Sequence, residues 1–335
     1  MAPNATVKHV AREAGVSVAT VSRVMNESDL VSDGTRRRVL EVATRLGYVP
    51  HSGARSLITN RTSTIGVLLP DLYGEFFSEV IRGIDQTARR HGYHVLVSSS
   101  HADQNEIEVV LRSMRGRVDG LILMVPDIQV DASVSLLPDS FPLVLVNCAD
   151  GGHSHDAISV ANYHGAYAMV QHLIGLGHRT IAIIKGAPRN FDAAERLRGY
   201  RAALKDAGLD AQPDWELAGD FSEGSGFRAG QALAQSGNRP KALFASNDAM
   251  AIGALSALRE SGISVPGDIA VAGFDDIPLA RYVEPPLTSV HVDISALGER
   301  ATVRLIEALQ ASNGREGRRE VLPTTLVVRR SCGAS

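Results

Sequence analysis

Two sets of side chains in this 335-residue sequence have types and spacing suited to chemistry. In the first set, Asp71, Phe76 and Phe77 follow one apolar run and Asn190, Asp192 and Arg196 follow another. Phe221 comes after an expected strand containing Trp215, and Asn247-Asp248 and Asp275-Asp276 end two further runs. Carboxylates, amides and an arginine bond hydroxyl groups, while phenyl rings stack on the apolar face of a sugar ring. Together they have the composition of a polyol site. The second set, Val18, Ala19, Thr20, Ser22, Arg23 and Asn26, is concentrated in one short stretch. Small apolar groups there can touch thymine methyls, an arginine can bond guanine through two hydrogen bonds, and Thr20, Ser22 and Asn26 suit phosphate oxygens.

Short helices must position the second set. Thr6 is placed to cap a helix whose Val7, Val10, Ala11 and Ala14 fall on one face, and Gly15 stops it. Ser17 is placed to cap a second helix with Val21, Val24 and Met25 inward and Val18, Ala19, Ser22, Arg23 and Asn26 outward. Two short helices joined by a glycine turn spell helix-turn-helix. A third helix is expected from Ser32 to Gly47, burying Val39, Ala43 and Leu46 to complete a minimal core. Without this context the stretch would be a generic helical bundle with a solvated polar face.

A different architecture positions the first set. Apolar runs at Ile65–Leu69, Val95–Val97, Gly120–Met124 and Leu143–Val146 alternate with helical patterns, and the alternation restarts at Thr180–Ile184, Ala242–Ala245 and Ile269–Ala272. Fully apolar strands separated by helices argue for parallel, doubly wound sheets. Two such lobes in one chain imply a cleft, with ligands beyond the carboxyl ends of the strands, where the polar and aromatic residues fall. Some of these residues have plain structural alternatives: Phe77 as partial core, Asp248 as a helix cap, Asp276 as a turn residue.

Composition narrows the function. With 44% apolar residues the chain can bury a large core, and no run is long and apolar enough to span a membrane. Its start lacks the layout of a secretory signal and its two cysteines, Cys148 and Cys332, are isolated, so a cytoplasmic protein without disulfides is expected. Residues 1–62 hold nine lysines and arginines against five acids, a net +4, leaving −7 for the remainder. A basic small module on an acidic large one fits a chain whose first part alone meets a polyanion. Gly224-Ser225-Gly226-Phe227-Arg228-Ala229-Gly230 departs from the dinucleotide-binding spacing and reads as a helix entry. The His153-Ser154-His155-Asp156 run matches no common zinc spacing, and neither a nucleophile elbow nor a phosphate-binding P-loop occurs. No enzymatic activity, metal or cofactor is expected.

The run from Thr6 through Val7-Lys8-His9-Val10-Ala11-Arg12-Glu13-Ala14-Gly15-Val16-Ser17-Val18-Ala19-Thr20-Val21-Ser22-Arg23-Val24-Met25 to Asn26 resembles the signature of the LacI/GalR repressor family. The similarity continues through Leu46-Gly47-Tyr48-Val49-Pro50 and covers nearly the whole chain. Two positions depart from it: His9 stands where the family commonly has aspartate, and His51 where it usually has asparagine. The resemblance implies an N-terminal all-α helix-turn-helix domain over 1–49, a hinge over 50–62, and an α/β two-lobed periplasmic-binding-protein-like domain of type I, with parallel sheets, over 63–335. It further implies three crossings between lobes, near Asn162, Asp293 and Pro323. The N-lobe is then about 63–162 and 293–323, and the C-lobe about 163–292 and 324–335.

In function, the resemblance implies a repressor of a sugar-utilisation operon, binding a palindromic operator as a homodimer and released by a small carbohydrate. The DNA-facing set becomes Thr6, Ser17, Val18, Ala19, Thr20, Ser22, Arg23, Asn26 and Tyr48, with Ala54 and Leu57 from the hinge and Leu57 as an apolar wedge between base steps. Effector contacts are implied at Phe76, Phe77, Asn190, Asp192, Arg196, Phe221, Asn247 and Asp275, beside Asp71 from the strand-end argument. Which state the effector favours stays open: an inducer is expected by family analogy, and the alternatives are a corepressor such as a purine, or a phosphorylated partner protein. No leucine-heptad segment follows Arg330, so a dimer is expected. A transport-type binding protein would leave the DNA reader unexplained.

Overall fold

The computed structural model describes residues 5–25, 30–48, 61–101, 103–126, 137–138, 140–148, 155–311 and 317–334. Asn26, Ala54 and Leu57, with most of the expected hinge, lie outside the described residues. The chain divides into two compact units, residues 1–63 with 116–118, and residues 64–115 with 119–335.

The smaller unit is built from α1 (Val7–Ala14), α2 (Val18–Met25) and α3 (Asp33–Arg45). Val10, Ala11, Ala14, Val21, Val24, Val39, Val42 and Ala43 form its core, and Tyr48 packs against them. Leu46, expected among the buried residues, caps α3 and is half-buried, while Val42 takes a core place. One turn of α3 sets this exchange: Val42 and Val39 share a face three residues apart, and Leu46 lies where the helix has already ended. Gly15 stops α1 at φ +65°, a conformation that glycine adopts without a Cβ penalty. His9 fits its place, because its Nδ1 accepts the Thr6 backbone N–H at 3.3 Å. The imidazole thereby reaches back to the helix start as an acidic side chain does in a capping box.

The larger unit contains two six-stranded sheets. In the first the order is β11-β5-β4-β3-β1-β2, from β1 (Thr64–Leu69), β2 (His94–Ser99), β3 (Gly120–Leu123), β4 (Leu143–Val146), β5 (Asp156–Val160) and β11 (Arg319–Leu322). Every pairing in it is parallel. The second has the order β12-β10-β9-β8-β6-β7, from β6 (Ile181–Ile184), β7 (Glu216–Leu217), β8 (Ala242–Ala245), β9 (Ala270–Asp275), β10 (Thr288–His291) and β12 (Thr325–Val327). Its edge strand β12 runs antiparallel to β10, a departure from the purely parallel expectation. The helices are α4 (Glu75–Arg90), α5 (Gln104–Met114), α6 (Asn162–Gly175), α7 (Phe191–Asp206), α8 (Glu223–Gln235), α9 (Asp248–Glu260) and α10 (Ile294–Gln310).

The strands β1, β3, β4, β6, β8 and β9 are buried almost throughout, as sheets covered by helices on both faces require. The chain leaves the first sheet after β5, leaves the second after β10, and passes between them again from β11 to β12. Trp215 differs from expectation: it lies in a single 3-10 turn, Pro213–Trp215, and the strand is only the following pair Glu216–Leu217. Proline fixes φ and donates no hydrogen bond, so the segment turns before it can pair. The Gly224–Gly230 run is helical from its first residue, with Ser222 accepting the Ser225 N–H at the start of α8.

Candidate functional site

In the smaller unit, Ser17 Oγ accepts the Thr20 N–H at 3.1 Å and lies 2.9 Å from the Thr20 hydroxyl, fixing the start of α2. With Val21 and Val24 committed to the core, the opposite face presents Val18, Ala19 and Arg23 to solvent and Ser22 partly so. Val18 is 43% exposed, although it is an aliphatic side chain on a helix with an available core. Thr6 is exposed and Tyr48 half-buried. Apolar, hydroxyl and guanidinium groups thus share one exposed helix face, the inventory that major-groove contact needs.

In the larger unit, a cavity of about 450 Å³ lies among the strand ends of both sheets. The nine residues expected to contact an effector line it, Asp71, Phe76, Phe77, Asn190, Asp192, Arg196, Phe221, Asn247 and Asp275, whereas Asp248 and Asp276 from the same strand-end set are not among the lining residues. Parallel strands explain the convergence: β6, β8 and β9 run the same way within the second sheet, so their following loops emerge at one edge, and the loop after β1 of the first sheet lines the same cavity. Helix starts fix the loop residues. Asn190 caps α7 by accepting the Ala193 N–H (3.0 Å), and Asn247 caps α9 by accepting the Met250 N–H (3.0 Å).

Arg196 forms the floor. Its side chain is 4% exposed; Nε donates to Asn162 Oδ1 (2.8 Å), Nη1 to the Ser246 carbonyl (2.5 Å), and Nη2 lies 3.2 Å from Asp275 Oδ1. The guanidinium also stacks 3.8 Å from the Phe274 ring centre. Asn162 passes this order on, its Nδ2 donating to Asp192 Oδ1 at 2.8 Å. Burial pushes the Asp275 carboxyl up to about 6 although Arg196 pulls it down, and its Oδ1 has no hydrogen-bond partner despite the ion pair.

Aromatic walls complete the cavity. Phe76 and Phe77 meet edge to face with centroids 5.5 Å apart. Phe221 adopts φ +71°, and the Asn247 Nδ2 donation to its carbonyl (3.0 Å) holds that turn. Its ring lies over Gly186, where a Cβ would fall 2.2 Å from the ring's Cζ. Asp71 is exposed and accepts the N–H groups of Leu72 (2.6 Å) and Tyr73 (3.1 Å), holding the loop after β1.

Two of the structural alternatives resolve differently from expectation. The cap of α9 is Asn247, while Asp248 is fully buried, its Oδ1 accepting from Ser289 Oγ (2.6 Å) and its Oδ2 from the Ile277 N–H (2.8 Å). Burial and the neighbouring Asp275 raise its carboxyl well above the usual range. Asn247 has the extended backbone that a cap needs, at φ −152°, while Ser289 and Ile277 hold the aspartate. Asp276 is more than a turn residue, lying 2.6 Å from Arg329 Nη2 and 3.0 Å from His291 Nδ1.

Three lining residues carry roles that the sequence reading missed. Asn147, just past β4, has a buried side chain, φ +48° and an Oδ1 without a hydrogen-bond partner. Glu75, at the first position of α4, accepts the Leu279 N–H at 2.9 Å and so bridges elements packed on different sheets. His101, past β2, places Nδ1 2.5 Å from Glu106 and Nε2 3.0 Å from Ser99 Oγ. The strand-end rule that found the others applies equally to Asn147 and His101; Glu75 had no signal beyond its place at a helix start. Among the described residues no group of three metal-ligating side chains converges, and no helix is long and apolar enough to cross a membrane.

Comparison with known proteins agrees with both halves of this geometry. Residues 6–51 match the family described as bacterial regulatory proteins, lacI family, and residues 170–332 match a periplasmic binding protein-like domain. The ribose operon repressor of Escherichia coli K12 is 37% identical, covering 95% of this chain and 97% of its own. The HTH-type transcriptional repressor PurR of Pasteurella multocida is 34% identical, covering 98% of each chain. The solved lac repressor dimer bound to operator and the anti-inducer ONPF superposes with a TM-score of 0.86 at 31% identity, covering 98% of this chain and 99% of that one.

Proposed function

Because the chain belongs to the LacI family of bacterial regulatory proteins, we propose that it represses a sugar-utilisation operon and leaves its operator when a small carbohydrate fills the cavity. The observation that carries this reading is the buried Arg196–Asp275 pair, whose carboxylate Oδ1 has the ion pair but no hydrogen bond, in a cavity that Phe76, Phe77 and Phe221 also line. A sugar supplies both complements at once: hydroxyl hydrogens for the carboxylate and an apolar ring face for the phenyl groups.

The nine expected residues among those lining the cavity serve as effector contacts, and the exposed face of α2 reads the major groove, Arg23 on base edges and Ser22 on phosphate. Two copies hold the two halves of a palindrome, as the operator-bound dimer among the similar structures supports. The resemblance also assigns Leu57 as the wedge that opens the centre of the operator. A ligand contacting both lobes shifts the population of a closed cleft by its differential affinity for that state. The same aromatic walls would accept a purine ring, which makes a corepressor the second reading.

The test is titration of the protein on its own upstream DNA at fixed salt, with pentoses, hexoses, disaccharides and purines added in turn, since phosphate contacts make affinity salt-dependent. Release by one sugar is the expected result. Tighter binding with a purine establishes the corepressor reading, and sequence-specific binding that no member of the panel changes overturns both.

A further inference from the structure

The charge of the cavity distinguishes among the forms a sugar can take. Asp71 and Glu75 face it beside the first sheet, and Asp192, Asp220, Glu223 and Asp275 beside the second. Among the described lining residues the only arginine or lysine is Arg196. Its three nitrogens are occupied by Asn162, the Ser246 carbonyl and Asp275. His101 is likewise engaged, by Glu106 and Ser99.

Several of the acids, in contrast, take their hydrogen bonds from neutral donors: Asp71 from two backbone N–H groups, Glu75 from Leu279 N–H, and Asp220 from Ser222, with the exposed Arg228 lying 3.6 Å from Asp220. Neutral partners satisfy the oxygens without cancelling their charge.

Helix starts, which elsewhere bind anions, are pre-empted here. The first turns of α4, α7, α8 and α9 hold Glu75, Asp192, Glu223 and Asp248 respectively, so each positive helix end already has a carboxylate of the chain's own. Two buried lining oxygens are incompletely satisfied among the described residues, and both are acceptors: Asn147 Oδ1 beside the first sheet has no hydrogen bond, and Asp275 Oδ1 beside the second has only its ion pair with Arg196. A ligand that completes both must donate at each end. Hydroxyls do so, whereas a phosphate dianion or a carboxylate brings only acceptors and a like charge.

We infer that the cavity takes the free, uncharged sugar and rejects its phosphorylated and acid forms, with Asn147 as the hydroxyl acceptor opposite Asp275. The signal sensed is then the sugar upstream of any kinase step, and its consumption by phosphorylation removes the effector. This inference rests on the effector reading of the cavity given above.

Calorimetry of the full-length protein with matched sets tests it: ribose against ribose 5-phosphate, and glucose against glucose 6-phosphate and gluconate, at pH 7.5. The expected result is binding of a free sugar with its phosphate ester weaker by about 100-fold or more. An ester or acid binding as tightly as its parent sugar overturns the inference while leaving the effector reading intact. Where the operator titration identifies another sugar, that sugar and its phosphate ester are the matched set, and failure of every sugar in that panel to bind overturns the sugar reading and the inference with it. Asn147→Leu should weaken the free sugar roughly tenfold, and Asn147→Asp, which keeps the acceptor, should restore most of that loss. Sugar affinity indifferent to both substitutions removes Asn147 from the site.

Discussion

Arg196 shows how one buried charge can organise a site at the residue scale. Unpaired, a guanidinium with 4% exposure would be costly, so its neighbours must supply a carboxylate, an amide oxygen and a carbonyl, and these partners then define the cavity floor. Arg196→Ala should abolish the sugar response in operator titrations while operator affinity without sugar changes little; a normal response would show that the floor is elsewhere. Asp275 adds a pH dependence. Its folded carboxyl is raised to about 6 by burial, and a sugar donating to it favours the ionised form. Sugar affinity should therefore be level above pH 7 and fall roughly tenfold by pH 5, and Asp275→Asn should flatten the profile; calorimetry across that range decides. On DNA, Arg23→Ala should cost about 1–3 kcal/mol of operator affinity and relax base preference where it contacts, measurable by binding to single-base operator variants.

At the scale of elements, α8 and α9 place the residues just before them, Phe221 and Asn247, and two glycines set their separation. A Cβ on Gly226 would lie 2.1 Å from the Met250 carbonyl oxygen, and one on Gly253 2.0 Å from that of Glu223. The helices touch backbone to backbone at both points. Gly253→Ala should push them apart, destabilise the protein by about 1–3 kcal/mol in urea denaturation, and weaken sugar binding by moving Phe221. In the smaller unit the starts of α1 and α2 depend on His9 and Ser17, and each holds its helix by bonds a few residues along the chain. Such short-range devices are legible in sequence because their partners are fixed by helix geometry; His9 in particular could be seen as a departure from family, though not as a working substitute.

At the scale of the whole larger unit, Glu75 ties the start of α4, packed on the first sheet, to Leu279 beyond β9 of the second, across the cavity. A single charge-assisted bond of this kind is worth about 1.5–3 kcal/mol, enough to bias an open–closed equilibrium by tenfold or more. Glu75→Ala should weaken sugar affinity several-fold and raise the radius of gyration of the sugar-free protein in small-angle scattering. An unchanged radius and affinity would show that the bond follows closure without contributing to it.

Periodicity, caps and glycine stops indicated the three helices of the smaller unit and the apolar strands β1–β4, β6, β8 and β9 from the sequence alone, because each depends on neighbours within a few residues. The strand-end rule placed eleven polar and aromatic residues near the cavity, since parallel strands deliver their following loops to one edge of a sheet, and the family resemblance, with Asp71 added, narrowed them to the nine that line it, leaving out Asp248 and Asp276. Tertiary structure decided what depends on distant partners. Whether Asn247 or Asp248 caps α9 turned on Ser289 and Ile277, which claim the aspartate from far along the chain. The roles of Asn147 and Glu75 arose only when two sheets faced each other and left one oxygen without a donor and gave the other a partner 204 positions away. Local geometry is written into neighbouring residues, whereas the satisfaction of a buried polar atom is settled by whatever the fold brings against it.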